Sequence, residues 1–299
     1  MQKTVFQIIT IIIFAVFMAA CARPVAEFNY TFKNGQKAPA IVQFENRSQK
    51  AIRYEWNFGD GKVVQDSSPV HAFKHSGKYE VQLLASDGKK SRIIKKQLTV
   101  EAPDKCLVEI ETNLGSMIFE LSDATPQHRD NFLKLAEEGY FNDLLFHRVI
   151  NGFMIQGGDP NSRNAKKGEP LGMGGPGYTV PAEFVDSLVH LKGALSAARQ
   201  GDQVNPQKRS SGSQFYIVQG QAVTEAMLNQ MEARKGFRYS QAQRDAYKQV
   251  GGTPALDRDY TVFGKLIQGM EVLDAIAKVA TDGRDRPEED VKMKVTVIK

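Results

Sequence analysis

An arginine set among apolar side chains is the feature of this sequence best placed to do chemistry. The stretch Phe146-His147-Arg148-Val149-Ile150-Asn151-Gly152-Phe153-Met154-Ile155-Gln156-Gly157-Gly158 holds Arg148 between apolar runs, with an aromatic, a methionine and a glutamine soon after. A period of two puts Phe146, Arg148 and Ile150 on one side of a strand and His147 and Val149 on the other. A guanidinium keeps its charge and only donates, so burying it is costly unless it meets an acceptor. Arg148 is therefore either half of a structural ion pair or a donor with work to do. Two other spacings suggest chemistry and fail on context. His71 and His75 stand four apart, but they flank an aromatic in strand-and-turn sequence and share no helical face, so no metal is expected there. Gly172-Met173-Gly174-Gly175-Pro176-Gly177 lacks a Lys-Ser/Thr ending and runs into extended sequence, Tyr178-Thr179-Val180-Pro181, which excludes a phosphate loop.

The pattern Phe141-x-x-Leu144-x-Phe146-His147-Arg148-Val149-Ile150-x-x-Phe153-Met154-x-Gln156-Gly157-Gly158 resembles the signature of the cyclophilins, the peptidyl-prolyl cis-trans isomerases. Gln214-Phe215-Tyr216-Ile217 after Ser211-Gly212-Ser213 is a second match. The resemblance implies an enzyme acting on proline-containing polypeptides, with no cofactor. A peptide bond resists rotation by about 18–20 kcal/mol because the nitrogen lone pair is delocalised into the carbonyl. Twisting the bond makes the prolyl nitrogen pyramidal and basic, so a donor aimed at it binds the transition state better than either ground state. The resemblance gives that part to Arg148, with Gln156 and Phe153 as the other catalytic residues. It gives the wall for the proline ring to Phe153, Met154, Tyr216, Leu256 and Tyr260. Gln156 and Gln214 hold the substrate backbone and orient the guanidinium, and Ala198 and Arg199 form the neighbouring groove. There are departures: many members carry Phe at the position of Tyr216 and His at that of Tyr260, and eukaryotic cytosolic members carry Asn at that of Arg199. The rival reading is a proline-segment binding chaperone, or a surface interaction protein, with little turnover. The joint presence of Arg148, Phe153 and Gln156 favours the enzyme.

These residues sit in a chain of 299 residues, 41% hydrophobic and 24% charged, with room for two domains. A net charge of +5 is too weak and dispersed to argue a nucleic-acid partner. The densest basic run, Lys89 to Lys96, reads as solvated lysines guarding a sheet edge and its turn. Residues 1–20 have an apolar core from Val5 to Met18, of signal-peptide length and short of the roughly 20 residues a spanning helix needs. The end of that core, Met18-Ala19-Ala20-Cys21, resembles the lipobox of bacterial lipoproteins, which implies lipidation at Cys21 and a membrane anchor on an exported, envelope protein. Ala22 after the cysteine favours an outer membrane by the same resemblance. By that resemblance residues 21–27 would be the lipidated cysteine and its tether. The other cysteine, Cys106, opens a strand-like run and reads as a buried free thiol.

Residues 28–101 read as short alternating strands between turn signals at Asn34-Gly35, Asn57-Phe58-Gly59-Asp60-Gly61, His75-Ser76-Gly77 and Ser86-Asp87-Gly88, a small β-sandwich. Trp56-Asn57-Phe58-Gly59-Asp60-Gly61, with His71-Ala72-Phe73 and Gly77-Lys78-Tyr79-Glu80-Val81, resembles the PKD repeat, an immunoglobulin-like module that serves as a spacer or binds protein or glycan. After a linker at 102–105, residues 106–299 carry the isomerase-like motifs. A hairpin turns at Asn113-Leu114-Gly115, and a helix follows with Thr125 as N-cap, Pro126 at its first position and Gly139 as stop. A second helix spans Met270 to Val279. Strands near 178–180, 194–196, 214–218 and 260–263 complete a mainly β core. The resemblance implies an eight-stranded antiparallel barrel closed by two helices. Residues 221–252 are an apparent insertion. A stripe of Val223, Met227, Leu228 and Met231, then a capping box at Ser240-Gln241-Ala242-Gln243, predict a helical hairpin packed on the barrel.

Overall fold

The computed structural model describes residues 23–299, so the expected signal peptide and the lipidation site Cys21 lie outside the described residues. The chain forms two compact units that divide between Asp104 and Lys105.

The first unit is two antiparallel sheets made from β1 (Phe28–Phe32), β2 (Ala40–Asn46), β3 (Arg53–Asn57), β4 (Val63–Val64), β5 (Val70–Phe73), β6 (Gly77–Ser86) and β7 (Ser91–Val100). Their orders are β1-β2-β5 and β4-β3-β6-β7. Alternate residues turn inward as the pleat demands, Ala40, Val42 and Phe44 from one sheet and Val81, Leu83 and Ala85 from the other. Trp56 is fully buried between Phe28 and Phe44, and its indole N–H donates to the Asp66 carbonyl at 3.0 Å. At the turn after it, Gly59 has φ +79° and a Cβ there would lie 3.0 Å from the Glu80 carbonyl, so only glycine fits. His71 stacks on Phe58 and lies 2.7 Å from the Asp60 carboxylate, whereas His75 offers its carbonyl to the Tyr79 hydroxyl. The basic run lies on the edge strand β7 and the turn before it, with Lys95 paired to Glu80 and Lys96 to Glu27.

The second unit holds β8 (Leu107–Thr112), β9 (Gly115–Leu121), α1 (Pro126–Glu137), β10 (Leu144–Leu145), β11 (Arg148–Ile150), β12 (Met154–Gly157), β13 (Thr179–Val180), β14 (Ala194–Ala197), β15 (Ser210–Ser211), β16 (Phe215–Val218), α2 (Glu225–Lys235), α3 (Gln241–Val250), β17 (Val262–Gln268), α4 (Met270–Ala277) and β18 (Lys292–Ile298). One antiparallel sheet runs β10-β18-β8-β9-β17-β14-β16-β12-β11, and β13 pairs with β15 as a separate ribbon. The count reaches nine because one stretch is broken into two short strands, which become the two edges of the sheet. Only Phe146 and His147 separate those edges in the chain, so the sheet has to curl round on itself. The outer side of β11 is covered where the Val149 amide donates to the Asp285 carbonyl at 2.8 Å. α1 packs on β17 and β18, α4 on β9, β11 and β12, over a core that includes Phe119, Phe132, Phe141, Phe146, Phe215 and Leu273.

Four expectations need correction. The break at Phe146–His147 ends the period of two, so Phe146 joins Val149 in the core while Arg148 is exposed. Thr125 occupies the N-cap of α1, but its hydroxyl donates to Ser122. The first-turn amides of Gln127 and His128 instead donate to the Glu183 carboxylate, an acceptor recruited from a distant loop. Met227 is about two-fifths exposed, leaving Val223 and Leu228 as the buried part of its stripe. Cys106 is a free thiol only partly buried against the core, one residue ahead of β8. The insertion is a helical hairpin as the pattern predicts: Ser240 and Gln243 form a reciprocal capping box, and Gly236 closes α2 in the left-handed conformation.

Candidate active site

Strand register builds the site. Arg148 on β11 lies opposite Gln156 on β12, Gln156 opposite Tyr216 on β16, and Tyr216 opposite Ser196 on β14. Residues directly opposite in antiparallel strands show their side chains on the same face, so arginine, glutamine and tyrosine form one row across the sheet. Met154 follows two residues before Gln156 on the same face, and the connection after β11 brings in Phe153. Ala198 follows β14, tied to the start of β16 by its amide donating to the Gln214 carbonyl at 3.0 Å. Leu256 ends a short 3-10 turn, Pro254–Leu256, and Tyr260 follows it.

Together these residues line a recess of about 120 Å³, roughly four times the volume share of one water and so room for a small ring. Every residue expected in the site lines it except Gln214, which stands behind Gln156 in the adjoining groove. Gln214 accepts from the Gln156 amide at 3.1 Å and donates to the Gly174 carbonyl at 2.8 Å. This fixes the amide plane of Gln156 and leaves its own oxygen free to accept.

The recess holds two arginines in opposite states. The Arg199 side chain is buried and tied down: its Nε donates to the Asp259 carbonyl at 2.6 Å, its Nη1 to the Gln200 carbonyl at 2.9 Å and to the Asp202 carboxylate, and its guanidinium lies 4.5 Å over the Tyr260 ring. It holds the wall in place. Arg148 makes one side-chain hydrogen bond among the described residues, from Nε to Asp285 at 3.4 Å, with both partners nearly half exposed. Such a pair is weak, and it leaves most of the five guanidinium N–H donors open to the recess.

Behind the Tyr216 ring lies a polar chain that sequence reading missed. The Tyr216 hydroxyl is 2.9 Å from His190 Nε2, and His190 Nδ1 is 2.8 Å from Asp257, all of them buried. Burial pushes the Tyr216 phenol well above its ordinary range, so it stays a donor. A second buried histidine, His147, lies at the break beside Arg148, and burial lowers it to about 4, so it is uncharged at neutral pH. The ring beside the arginine thus adds no positive charge to it.

Residues 107–297 match the family model of the cyclophilin type peptidyl-prolyl cis-trans isomerases, and residues 21–101 match that of the PKD domain. A Staphylococcus saprophyticus protein provisionally named as a peptidyl-prolyl cis-trans isomerase is 41% identical over 186 residues, 61% of this chain and 86% of that one. A Streptococcus pyogenes protein, provisionally named as a bifunctional phosphatase/peptidyl-prolyl cis-trans isomerase, is 42% identical over 201 residues, 65% of this chain but only 39% of its own greater length. The crystal structure of a Cryptosporidium parvum cyclophilin type isomerase aligns with a TM-score of 0.47 and 28% identity, covering 65% of this chain and 98% of that one. With its isomerase motifs folded into one recess and nearly two thirds of its length matched by the family model, the chain belongs to the cyclophilin type peptidyl-prolyl cis-trans isomerases and carries a PKD domain ahead of that unit.

Proposed function

We propose that Arg148 is the catalytic donor of this isomerase and that the enzyme works on exported proteins folding at the bacterial cell envelope. What carries the mechanism is the state of the Arg148 guanidinium, at a recess walled by Phe153, Met154, Leu256 and two tyrosine rings, with one weak partner. A prolyl ring seated against Phe153, Met154, Tyr216, Leu256 and Tyr260 would bring its imide nitrogen toward that guanidinium. Gln156, with its amide plane set by Gln214, holds the substrate backbone while the bond turns. The donor gains most when conjugation is lost and the nitrogen lone pair localises, so it lowers the barrier without a covalent step. Arg148→Ala should lower kcat/KM for an Ala-Pro peptide by about 10²–10³, the scale for losing one transition-state donor. Retained peptide affinity alongside that loss would support the assignment. Equal turnover in wild type and variant would sink it, and slow turnover in both with retained affinity would leave a proline-segment binder.

The setting rests on the lipobox-like Met18-Ala19-Ala20-Cys21. Lipidation at Cys21 would tether the enzyme to a membrane, the outer one by the Ala22 that follows, with the PKD domain as spacer or as a docking surface for protein or glycan. Incorporation of labelled fatty acid by wild type but not by Cys21→Ser is the expected result. Equal labelling of both would remove the anchor.

A further inference from the structure

We propose that the helical hairpin at 221–252 is a positioning element of the isomerase site, holding one wall of the prolyl pocket through Lys235, Tyr239 and Tyr247. This rests on the reading of the recess as that pocket. The wall residues Leu256 and Tyr260 belong to one short segment, and the hairpin grips the backbone and side chains between them. An ammonium has three N–H donors, and Lys235 uses all three there: on the Ala255 carbonyl at 2.7 Å, the Asp257 carbonyl at 2.6 Å and the Asp259 carboxylate at 2.7 Å. The Tyr239 and Tyr247 hydroxyls donate to Asp257 Oδ2 at 2.6 and 2.7 Å. The His190 amide and Nδ1–H both donate to Asp257 Oδ1 at 2.8 Å, so four donors fill the four lone-pair positions of one carboxyl group. With its proton on Nδ1, His190 accepts from the Tyr216 hydroxyl at Nε2. The hairpin therefore reaches the opposite wall through three hydrogen bonds in series. Burial, with Asp257 beside them, keeps both hairpin phenols well above their ordinary range and so always donors. The segment is also strained: Arg258 has φ +62°, a left-handed conformation that a non-glycine residue keeps only where its surroundings enforce it, and its guanidinium lies 4.3 Å over Phe237 of the hairpin.

The test compares full-length wild type, Lys235→Met, Tyr239→Phe/Tyr247→Phe and Arg148→Ala, assayed on an Ala-Pro peptide below each melting midpoint. Lys235→Met and the double variant should each lower kcat/KM about tenfold, short of the hundredfold that an ångström of misplacement can cost. The loss should lie in KM, because Arg148 stands on β11, apart from the gripped segment. The double variant's loss should shrink in a Tyr216→Phe background if the hydroxyl chain transmits it, whereas general destabilisation would simply add. Wild-type kinetics in either folded variant, or additive losses, would overturn the proposal. If one variant does not fold, the other decides. Unfolding of both would make the hairpin a folding element and equally overturn it. Arg148→Ala separates the failures: its full activity would sink the catalytic reading, whatever the hairpin does.

Discussion

Two corners of the isomerase unit are wired alike and used differently. At one, His128 sets Nδ1 2.7 Å from Glu183 and Nε2 2.9 Å from the Ser210 hydroxyl. At the other, His190 sets Nδ1 2.8 Å from Asp257 and Nε2 2.9 Å from the Tyr216 hydroxyl. Each is a buried imidazole between a carboxylate and a hydroxyl. The first ends on the opening turn of α1 and on the two-residue strand β15, so it fastens a helix to the β13-β15 ribbon. The second ends on a ring of the catalytic recess. The same three functional groups thus serve as a helix cap in one place and as a prop for a pocket wall in the other. Their role follows from what the strut touches.

Removing the carboxylates breaks this comparison most directly. Asp257→Ala orphans four donors at a buried site and should cost about 3–5 kcal/mol in urea unfolding, with kcat/KM falling alongside. The next effect in size is read by pH at another buried histidine, His147. Burial holds folded His147 at about 4 against 6.5 in the open chain, so the unfolded state takes up a proton that the folded state refuses. Its contribution is complete above pH 6.5 and is lost as pH falls toward 4, by about 3 kcal/mol in all. His147→Gln should flatten the slope of unfolding free energy against pH across that window; an unchanged slope would rule His147 out as the source. Glu183→Ala sharpens the comparison from the structural side. It should cost about 1–3 kcal/mol through the orphaned first-turn amides and His128, while kcat/KM stays within about twofold of wild type. A large loss of activity there would erase the distinction between the corners. Lys167→Ala sets the floor: its partner Glu289 is almost fully exposed, so the melt should move by less than about 0.5 kcal/mol.

Much of the recess was legible because the isomerase motifs are contiguous: residues 146 to 158 and 214 to 217 carry Arg148, Gln156 and Tyr216 with the strands that align them. The capping box at Ser240 was legible for the same reason, since helix caps are local chemistry. What escaped reading depends on long-range pairing. Glu183 caps a helix 55 residues upstream, His190 meets an aspartate 67 residues on, and Arg148 finds Asp285 across 137 residues. No local periodicity encodes such partners. The break at Phe146–His147 also escaped, because alternation describes a strand and cannot say where the chain leaves one sheet edge for the other.

That break has a consequence for how the enzyme handles its substrates. Chains awaiting prolyl rotation are extended and rich in unpaired amides, and an open sheet margin would invite them to add as a further strand and stay. Here the two margins are formed by neighbouring stretches of a single loop-back, and the Asp285 carbonyl occupies an amide on the outer one. The curl of the sheet thus leaves an extended chain little open margin on which to add as a further strand.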